Sequence, residues 1–179
     1  MNWDPERYIE ALRFAAERHG GQRLPGSDIP YLFHLSCVAM EVLHAAAEDP
    51  EINLDLALTC ALLHDVVEDT GAETEVLRER FGDAVAGGVA ALTKRADLPG
   101  AERMADSLRR IRKQGREVAM VKLADRVVNL QPPPAHWTPA KIEAYRQEAR
   151  GILHELGSAS PALARRLAEK IAEYGWDVE

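Results

Sequence analysis

The chain has few of the features that mark secreted or membrane proteins. Its two cysteines, Cys37 and Cys60, lie in apolar surroundings, so a disulfide framework is excluded and both are expected as buried free thiols. No apolar run approaches the ~20 residues that cross a bilayer. The acidic start, residues 1–6, lacks the basic and apolar pattern of a signal sequence. We therefore expect a cytoplasmic protein with no membrane partner.

The chain also lacks an excess of positive charge. Its 22 Lys and Arg residues against 29 Asp and Glu give a formal net charge of −7, which argues against nucleic acid as a partner. Basic residues are concentrated in residues 94–126, where ten Lys and Arg face five Asp and Glu. A small polyanionic ligand needs only local positive charge, so a phosphorylated small molecule stays compatible with this distribution.

Alternating runs of β-branched residues are missing, which leaves no material for a sheet. Apolar residues instead recur with helical spacing, and Asp4 and Asn53 are placed to cap helices. We find no internal repeat and no second domain, so residues 1–179 are predicted to form one all-α domain, an orthogonal helical bundle with its core at about 5–175. The predicted helices cover 5–19, 32–47, 54–68, 73–81, 83–92, 101–113, 116–130, 138–156 and 161–174.

The most informative segment is ALLHDVVEDT, residues 61–70. His64 and Asp65 offer an imidazole nitrogen and a carboxylate oxygen to one cation, and Glu68 and Asp69 follow one helical turn later on the same side. Three acids beside an apolar run form neither a good core nor a purely solvated face, so a metal ion is the natural counter-charge. The alternative is an exposed acidic helix end with a capping histidine.

Two other segments carry further candidate ligands. His34 follows Pro30-Tyr31 at the start of an apolar helix, and Asp125 lies in KLADR with Asn129 four residues later. Each alone has an ordinary explanation, a core or capping histidine for His34 and an ion pair with Arg126 for Asp125. Together with His64 and Asp65 they supply two imidazoles and two carboxylates, a set that suits Mn²⁺, Fe²⁺ or Zn²⁺ with positions left open.

The order H…HD…D resembles the HD-domain metal phosphohydrolases, and more narrowly the hydrolase domain of RelA/SpoT homologues in its stand-alone form, the small alarmone hydrolase. The resemblance implies an HD-type helical bundle and a Mn²⁺-dependent enzyme that removes pyrophosphate from the 3′ position of (p)ppGpp. It covers nearly the whole chain, from about residue 5 to 175. The matching text is His19-Gly20-Gly21-Gln22-Arg23, Pro30-Tyr31 through His34, HDVVEDT at 64–70, and KLADR at 122–126 with Asn129.

The resemblance also implies roles beside the metal. Glu68 and Asp69 would orient water, accept its proton or donate one to the departing 3′ oxygen. Lys122 and Arg126 are candidates for binding phosphate, and Asn129 for fixing the ribose or an oxygen of Asp125. For these residues, helix-end solvation and surface placement are the alternatives. Arg23 lies near the position of an arginine that packs on the base in the family, although a loop arginine that makes only a surface ion pair is the slightly favoured explanation.

Departures from the family pattern concern the residues that would contact the nucleotide. Strict register places Leu24 at the position of the family arginine, and Gln131 and Pro132 replace a basic residue and a hydroxyl. An adenine alarmone or another 3′-phosphorylated nucleotide is therefore left open as substrate. The alternatives to an alarmone hydrolase are an HD phosphatase that releases single phosphate and a non-catalytic nucleotide-binding module. The sequence leaves the metal identity and homo-oligomer formation open.

Overall fold

The three-dimensional structure is a computed structural model that describes residues 3–175. Within that range the chain forms ten α-helices and one 3₁₀ helix, and its strand-like pairing is an isolated bridge between Arg23 and Pro30. The helices are α1 Pro5–Arg18, α2 Leu32–Ala46, α3 Leu54–Leu63, α4 Val66–Thr70, α5 Thr74–Phe81, α6 Asp83–Leu92, α7 Gly100–Gln114, α8 Arg116–Asn129, α9 Pro139–Leu156 and α10 Pro161–Glu173, with the 3₁₀ helix Gly157–Ala159. The predicted all-α bundle is confirmed.

Helix starts follow from local capping chemistry. The side chain of Asp4 accepts a hydrogen bond from the amide of Glu6, and Asn53 accepts one from the amide of Leu56. Each bond satisfies an amide that has no partner within its own helix. The two caps predicted from the sequence are confirmed, and the boundaries of α1 and α3 follow from them.

Helix α8 is the centre of the bundle. Every residue from Val118 to Val127 is buried, and the helix packs against α2, α3, α7, α9 and α10. Such a helix has little freedom to shift, because interiors are close-packed. Asp125 lies on this buried helix and His34 lies in the first turn of the neighbouring α2, so both side chains are carried by the most constrained part of the fold.

The prediction of one continuous helix over residues 54–68 is wrong, because the structure has a break inside this range. Helix α3 ends at Leu63 and α4 begins at Val66, with Asp65 between them at φ −101° and ψ −2°. The carbonyl of Ala61, which a continuous helix would offer to the amide of residue 65, accepts a hydrogen bond from Nδ1 of His64 at 2.8 Å. The amide of Asp69 still donates to the carbonyl of Asp65, which keeps the second acidic pair one turn away.

Between Trp3 and Gly175, the structure contains no helix long and apolar enough to span a bilayer. The cytoplasmic location stays a prediction. The assignment of residues 1–179 to one domain also stays a prediction, since the two residues at the start and the four at the end lie outside the described part.

The contact between α6 and its neighbours yields a prediction about stability. A Cβ atom at Gly88 would lie 2.9 Å from both Cys60 Sγ and a methyl carbon of Val118, whereas a Cβ at Gly151 in α9 meets nothing within 4 Å. We expect Gly88→Ala to destabilise the fold by about 1–3 kcal/mol through overpacking. Gly151→Ala, the matched control, should stabilise it by about 0.5–1 kcal/mol, because glycine lowers helix stability. Urea unfolding measures both, and a neutral Gly88→Ala would contradict the packing described.

Candidate metal centre

Three ligand atoms from three parts of the fold converge inside the bundle. They are Nε2 of His34 in α2, Nε2 of His64 after α3, and a carboxylate oxygen of Asp125 in α8, all within 4.8 Å of one another. The two imidazole nitrogens are 3.3 Å apart, and Oδ1 of Asp125 lies 3.4 Å from the first and 3.6 Å from the second. All three side chains are buried. Residues separated by 91 positions therefore share one small volume.

These distances fit a shared cation. Two ligand atoms about 2.1 Å from one ion lie about 3.0 Å apart in octahedral and about 3.4 Å apart in tetrahedral geometry. Nδ1 of His64 is occupied by the carbonyl of Ala61, which leaves the Nε2 lone pair directed at the other ligands. Two imidazoles and a buried carboxylate form a donor set for a divalent transition metal. The site can therefore hold such an ion.

Asp65 is placed at the edge of this cluster. Its Oδ2 lies 2.9 Å from Nε2 of His64 and 3.7 Å from Nε2 of His34, so it is within reach of the same ion. The hydroxyl of Tyr31 donates a hydrogen bond to this oxygen at 2.5 Å. Asp65 is more exposed than the other three ligand candidates, with 21% of its side chain accessible against 3–8% for them. It is the ligand candidate that faces the open side.

Both oxygens of the Asp125 carboxylate are held by residues of its own helix. Lys122 donates from Nζ to Oδ2 at 2.9 Å, and Asn129 donates from Nδ2 to Oδ1 at 2.5 Å. These bonds fix the carboxylate plane and supply one positive charge beside it. The structure thus places two of the four predicted substrate-binding residues, Lys122 and Asn129, against a ligand candidate, and a bond to an Asp125 oxygen is one of the two interactions expected of Asn129.

Electrostatics in the cluster follow from burial and mutual contact. Burial alone would raise the pKa of the Asp125 carboxyl, but Lys122 and the two imidazoles hold it well below its usual value. Burial alone would lower the pKa of His64, but Asp65 and Asp125 raise it well above its usual value. Burial also raises the pKa of the Tyr31 phenol, with a further contribution from Asp65, so Tyr31 stays a donor near neutral pH.

The second acidic pair is held by residues to which the sequence assigned no role. Both oxygens of Glu68 accept hydrogen bonds from Lys94, one from its amide at 2.8 Å and one from its ammonium at 2.9 Å. Oδ2 of Asp69 accepts a bond at 2.8 Å from Gln22, whose own oxygen lies 2.7 Å from Nδ1 of His19. Both residues are exposed, and each carboxylate has a hydrogen-bond partner that restricts its orientation.

Glu68 and Asp69 both line the opening over the candidate ligands. We call this opening the metal cavity, a space of about 220 Å³. Its charged lining consists of Asp65, Glu68, Asp69, Lys94, Lys122, Asp125, Arg126 and Glu148.

Arg126 is a buried cation with unused donors. Its side chain is 5% exposed, it is paired through Nη2 with Glu148, and its guanidinium lies 4.3 Å over the ring of Tyr145. Among the described residues, Nε and Nη1 of Arg126 have no hydrogen-bond partner. Buried donors of this kind are costly when unpaired. Arg126 also lines the metal cavity, so that cavity holds a buried cation beside its acidic groups.

Arg23 is not brought to the metal cavity. Its Nη1 donates to the carbonyl of Asp28 at 2.7 Å inside the same loop. Its neighbours Leu24 and Pro25 instead line a second space of about 680 Å³, which we call the apolar cavity. The predicted contact of Arg23 with a base stays a prediction.

The apolar cavity adjoins the metal cavity, since Asn129 and Tyr145 line both. The apolar and aromatic side chains of its wall include Phe33, Met40, Val128, Pro132, Trp137 and Tyr174.

Comparison with known proteins agrees with this geometry. The sequence profile of the HD domain matches residues 11–162, a range that includes the four ligand candidates. The chain belongs to the HD-domain family. This HD domain is 31% identical to a Danio rerio protein over 93% of each chain, and 30% identical to a Xenopus tropicalis protein over 98% of each. Both relatives are named guanosine-3′,5′-bis(diphosphate) 3′-pyrophosphohydrolase MESH1.

A solved structure shares the whole fold. It is described as a metazoan orthologue of SpoT that hydrolyses ppGpp, and it superimposes on this HD domain with a TM-score of 0.82 at 28% identity. The match covers 98% of this chain and 99% of that one. The resemblance to stand-alone alarmone hydrolases, seen first in the motifs, is confirmed.

Sequence reasoning missed several residues that surround the metal centre. The hydroxyl of Tyr31 bonds to Asp65. The ring of His19 stacks on that of Tyr31, with centroids 5.0 Å apart. Both residues lie within the quoted motifs, which was an available signal. Lys94 lies 26 positions after Glu68 and outside every quoted motif, so no local pattern indicated it.

Proposed function

We propose that the chain is a Mn²⁺-dependent hydrolase that removes pyrophosphate from the 3′ position of ppGpp or a closely related alarmone. The convergence of His34, His64 and Asp125 carries the proposal, because these are the residues that the HD-type order of motifs requires to meet. The names of relatives that align along almost the entire chain support the substrate. The proposed ligands are these three residues together with Asp65.

Each residue of the metal cavity has a proposed task. A divalent ion held there would supply Lewis-acid chemistry, polarising a phosphoryl oxygen and lowering the pKa of water. Lys122 and Asn129 keep the Asp125 carboxylate in its ligating orientation. Glu68 and Asp69 face the same cavity. They would orient the attacking water, accept its proton, and donate a proton to the departing 3′ oxygen.

Arg126 is proposed to bind the substrate's phosphate. Its guanidinium lines the metal cavity and supplies a positive charge and planar N–H donors for phosphate oxygens. The ring of Tyr145 beneath it restricts the guanidinium to one orientation. The cavity thus offers a directional cationic site beside the acidic ligands.

The nucleoside part is proposed to occupy the apolar cavity. Asn129 and Tyr145 line both cavities, so the two spaces are adjacent, and the proposed ligand would extend from one into the other. Its walls are mainly apolar and aromatic, including Trp137, with Gln131 and His136 among the polar side chains. Such walls hold a base by stacking and apolar contact more than by hydrogen bonds, so guanine and adenine forms both belong in the test.

A hydrolysis panel tests the proposal. The purified chain with Mn²⁺ is incubated with ppGpp, pppGpp, ppApp and simple mononucleotides, and pyrophosphate and phosphate are measured separately. We expect pyrophosphate release from one or more alarmones, and none after chelation of the metal. Release of single phosphate would instead show an HD-type phosphatase. No turnover of any compound with metal bound would show a nucleotide-binding module.

A change at Arg126 should affect substrate binding more than chemistry. Arg126→Lys keeps the charge but removes the planar guanidinium and its N–H donors, so we expect KM for the alarmone to rise about 10-fold, with Mn²⁺ affinity unchanged. Arg109→Lys on the exposed face of α7 is the matched control and should behave as the native chain. An unchanged KM in a folded Arg126→Lys variant would remove Arg126 from the proposed site.

A further inference from the structure

One residue outside every recognised motif holds both oxygens of Glu68. Lys94 follows the C-terminus of α6, and its amide donates to Oε2 of Glu68 while its ammonium donates to Oε1. The torsion that turns a glutamate carboxylate is soft, so one hydrogen bond would leave its plane free to rotate. Two bonds to different oxygens fix that plane. A contact between α4 and the end of α6 thus sets the direction of the Glu68 carboxylate.

The surroundings of Lys94 favour the charged form of its ammonium, which pairs with Glu68. It lines the metal cavity, where Glu68, Asp65 and Asp125 are the acidic groups that act on it. Burial alone would disfavour its charge, but the hydrogen bond and charge of Glu68 raise the pKa of Lys94 above its usual value. The side chains of Lys94 and Glu68 are 37% and 30% exposed, so solvent weakens the ion pair but does not break it.

We propose that Lys94 is a positioning residue that holds the Glu68 carboxylate in the orientation needed for proton transfer in the metal cavity. This inference rests on the proposed function, in which Glu68 acts on the water. Lys94 then contributes to turnover through Glu68 and not through direct contact with the substrate. A lysine that instead bound a phosphate oxygen directly would act on substrate affinity, independently of Glu68.

A double-mutant cycle separates these two roles. Lys94→Met keeps the length of the side chain and the amide donor but removes the ammonium. We expect Lys94→Met to lower kcat for the alarmone about 10–100-fold with KM changed less than about twofold, because a misplaced catalytic group costs rate. Lys94→Arg should recover part of the loss. In a Glu68→Gln background, Lys94→Met should cause no further loss.

Two results of the cycle would overturn the inference. One is a rise in KM with kcat unchanged. The other is a loss in the double variant equal to the product of the two single losses, which would show that Lys94 acts without Glu68. Arg95→Met is the matched control: Arg95 is adjacent and cationic but pairs with Asp97, so native kinetics are expected.

A measurement that needs no turnover tests the same contact. Hydrogen exchange of the amide at position 94, followed by NMR and corrected for residue type, reports whether that amide still donates to Glu68. We expect exchange at least ~5-fold faster in Lys94→Met than in the native chain, because a carboxylate freed by loss of the ammonium leaves the amide. Unchanged protection would overturn the inference. If the native chain hydrolyses nothing in the panel, the proposed function fails while this readout still decides the role of Lys94 in holding Glu68.

Discussion

A Glu68→Gln variant is expected to bind Mn²⁺ as tightly as the native chain and to hydrolyse the alarmone about 10²–10⁴-fold more slowly. Glutamine preserves the size of the side chain and one acceptor oxygen for Lys94, but it cannot accept a proton from water. Because Glu68 is not among the ligand candidates, the metal should stay in place. Single-turnover hydrolysis and Mn²⁺ titration measure the two quantities separately.

Glu75→Gln is the matched control for this change. Glu75 lies in α5, is 60% exposed and pairs with Arg78, so native rates are expected. Hydrolysis by Glu68→Gln at the native rate would show that the proton is transferred elsewhere, and Asp69 would then be the next residue to test.

An Asp65→Asn variant is expected to lose Mn²⁺ binding, with affinity at least about 100-fold weaker. Changes to groups that merely support a ligand already cost 10–100-fold, and here a carboxylate within 2.9 Å of Nε2 of His64 becomes a neutral amide. The hydroxyl of Tyr31 also loses its charged acceptor. Isothermal titration with Mn²⁺ and a thermal melt measure affinity and folding in the same samples.

Asp69→Asn serves as the control for metal affinity. Asp69 is four residues away and bonds to Gln22, so its loss should leave the Mn²⁺ dissociation constant unchanged. Native Mn²⁺ affinity in Asp65→Asn would restrict the centre to His34, His64 and Asp125, with Asp65 acting only through Tyr31.

The sequence predicts the helical fold well because the determinants are local. Caps at Asp4 and Asn53 and the absence of alternating strands were sufficient to place the helices within a few residues. The break at Asp65 was not predictable from helical periodicity. It depends on a side-chain bond from His64 to the carbonyl of Ala61, which no pattern of apolar residues encodes.

The candidate site likewise contains residues that the sequence predicts and residues that it does not. His34, His64 and Asp125 could be proposed because imidazoles and carboxylates at the ends of apolar helices have few other uses, and the structure brings the three together. The roles of Lys122 and Asn129 could not be fixed, because residues three and four positions from Asp125 face both the ligand and the cavity. Lys94 reaches Glu68 through the packing of the bundle, which spacing along the chain does not reveal.

A crystal structure of the chain grown with Mn²⁺ tests the central claim most directly. The account predicts a single anomalous difference peak about 2.0–2.3 Å from Nε2 of His34, Nε2 of His64 and carboxylate oxygens of Asp65 and Asp125. A protein that takes up no manganese, or a peak away from His34, His64 and Asp125, would contradict the metal centre and the hydrolase built on it.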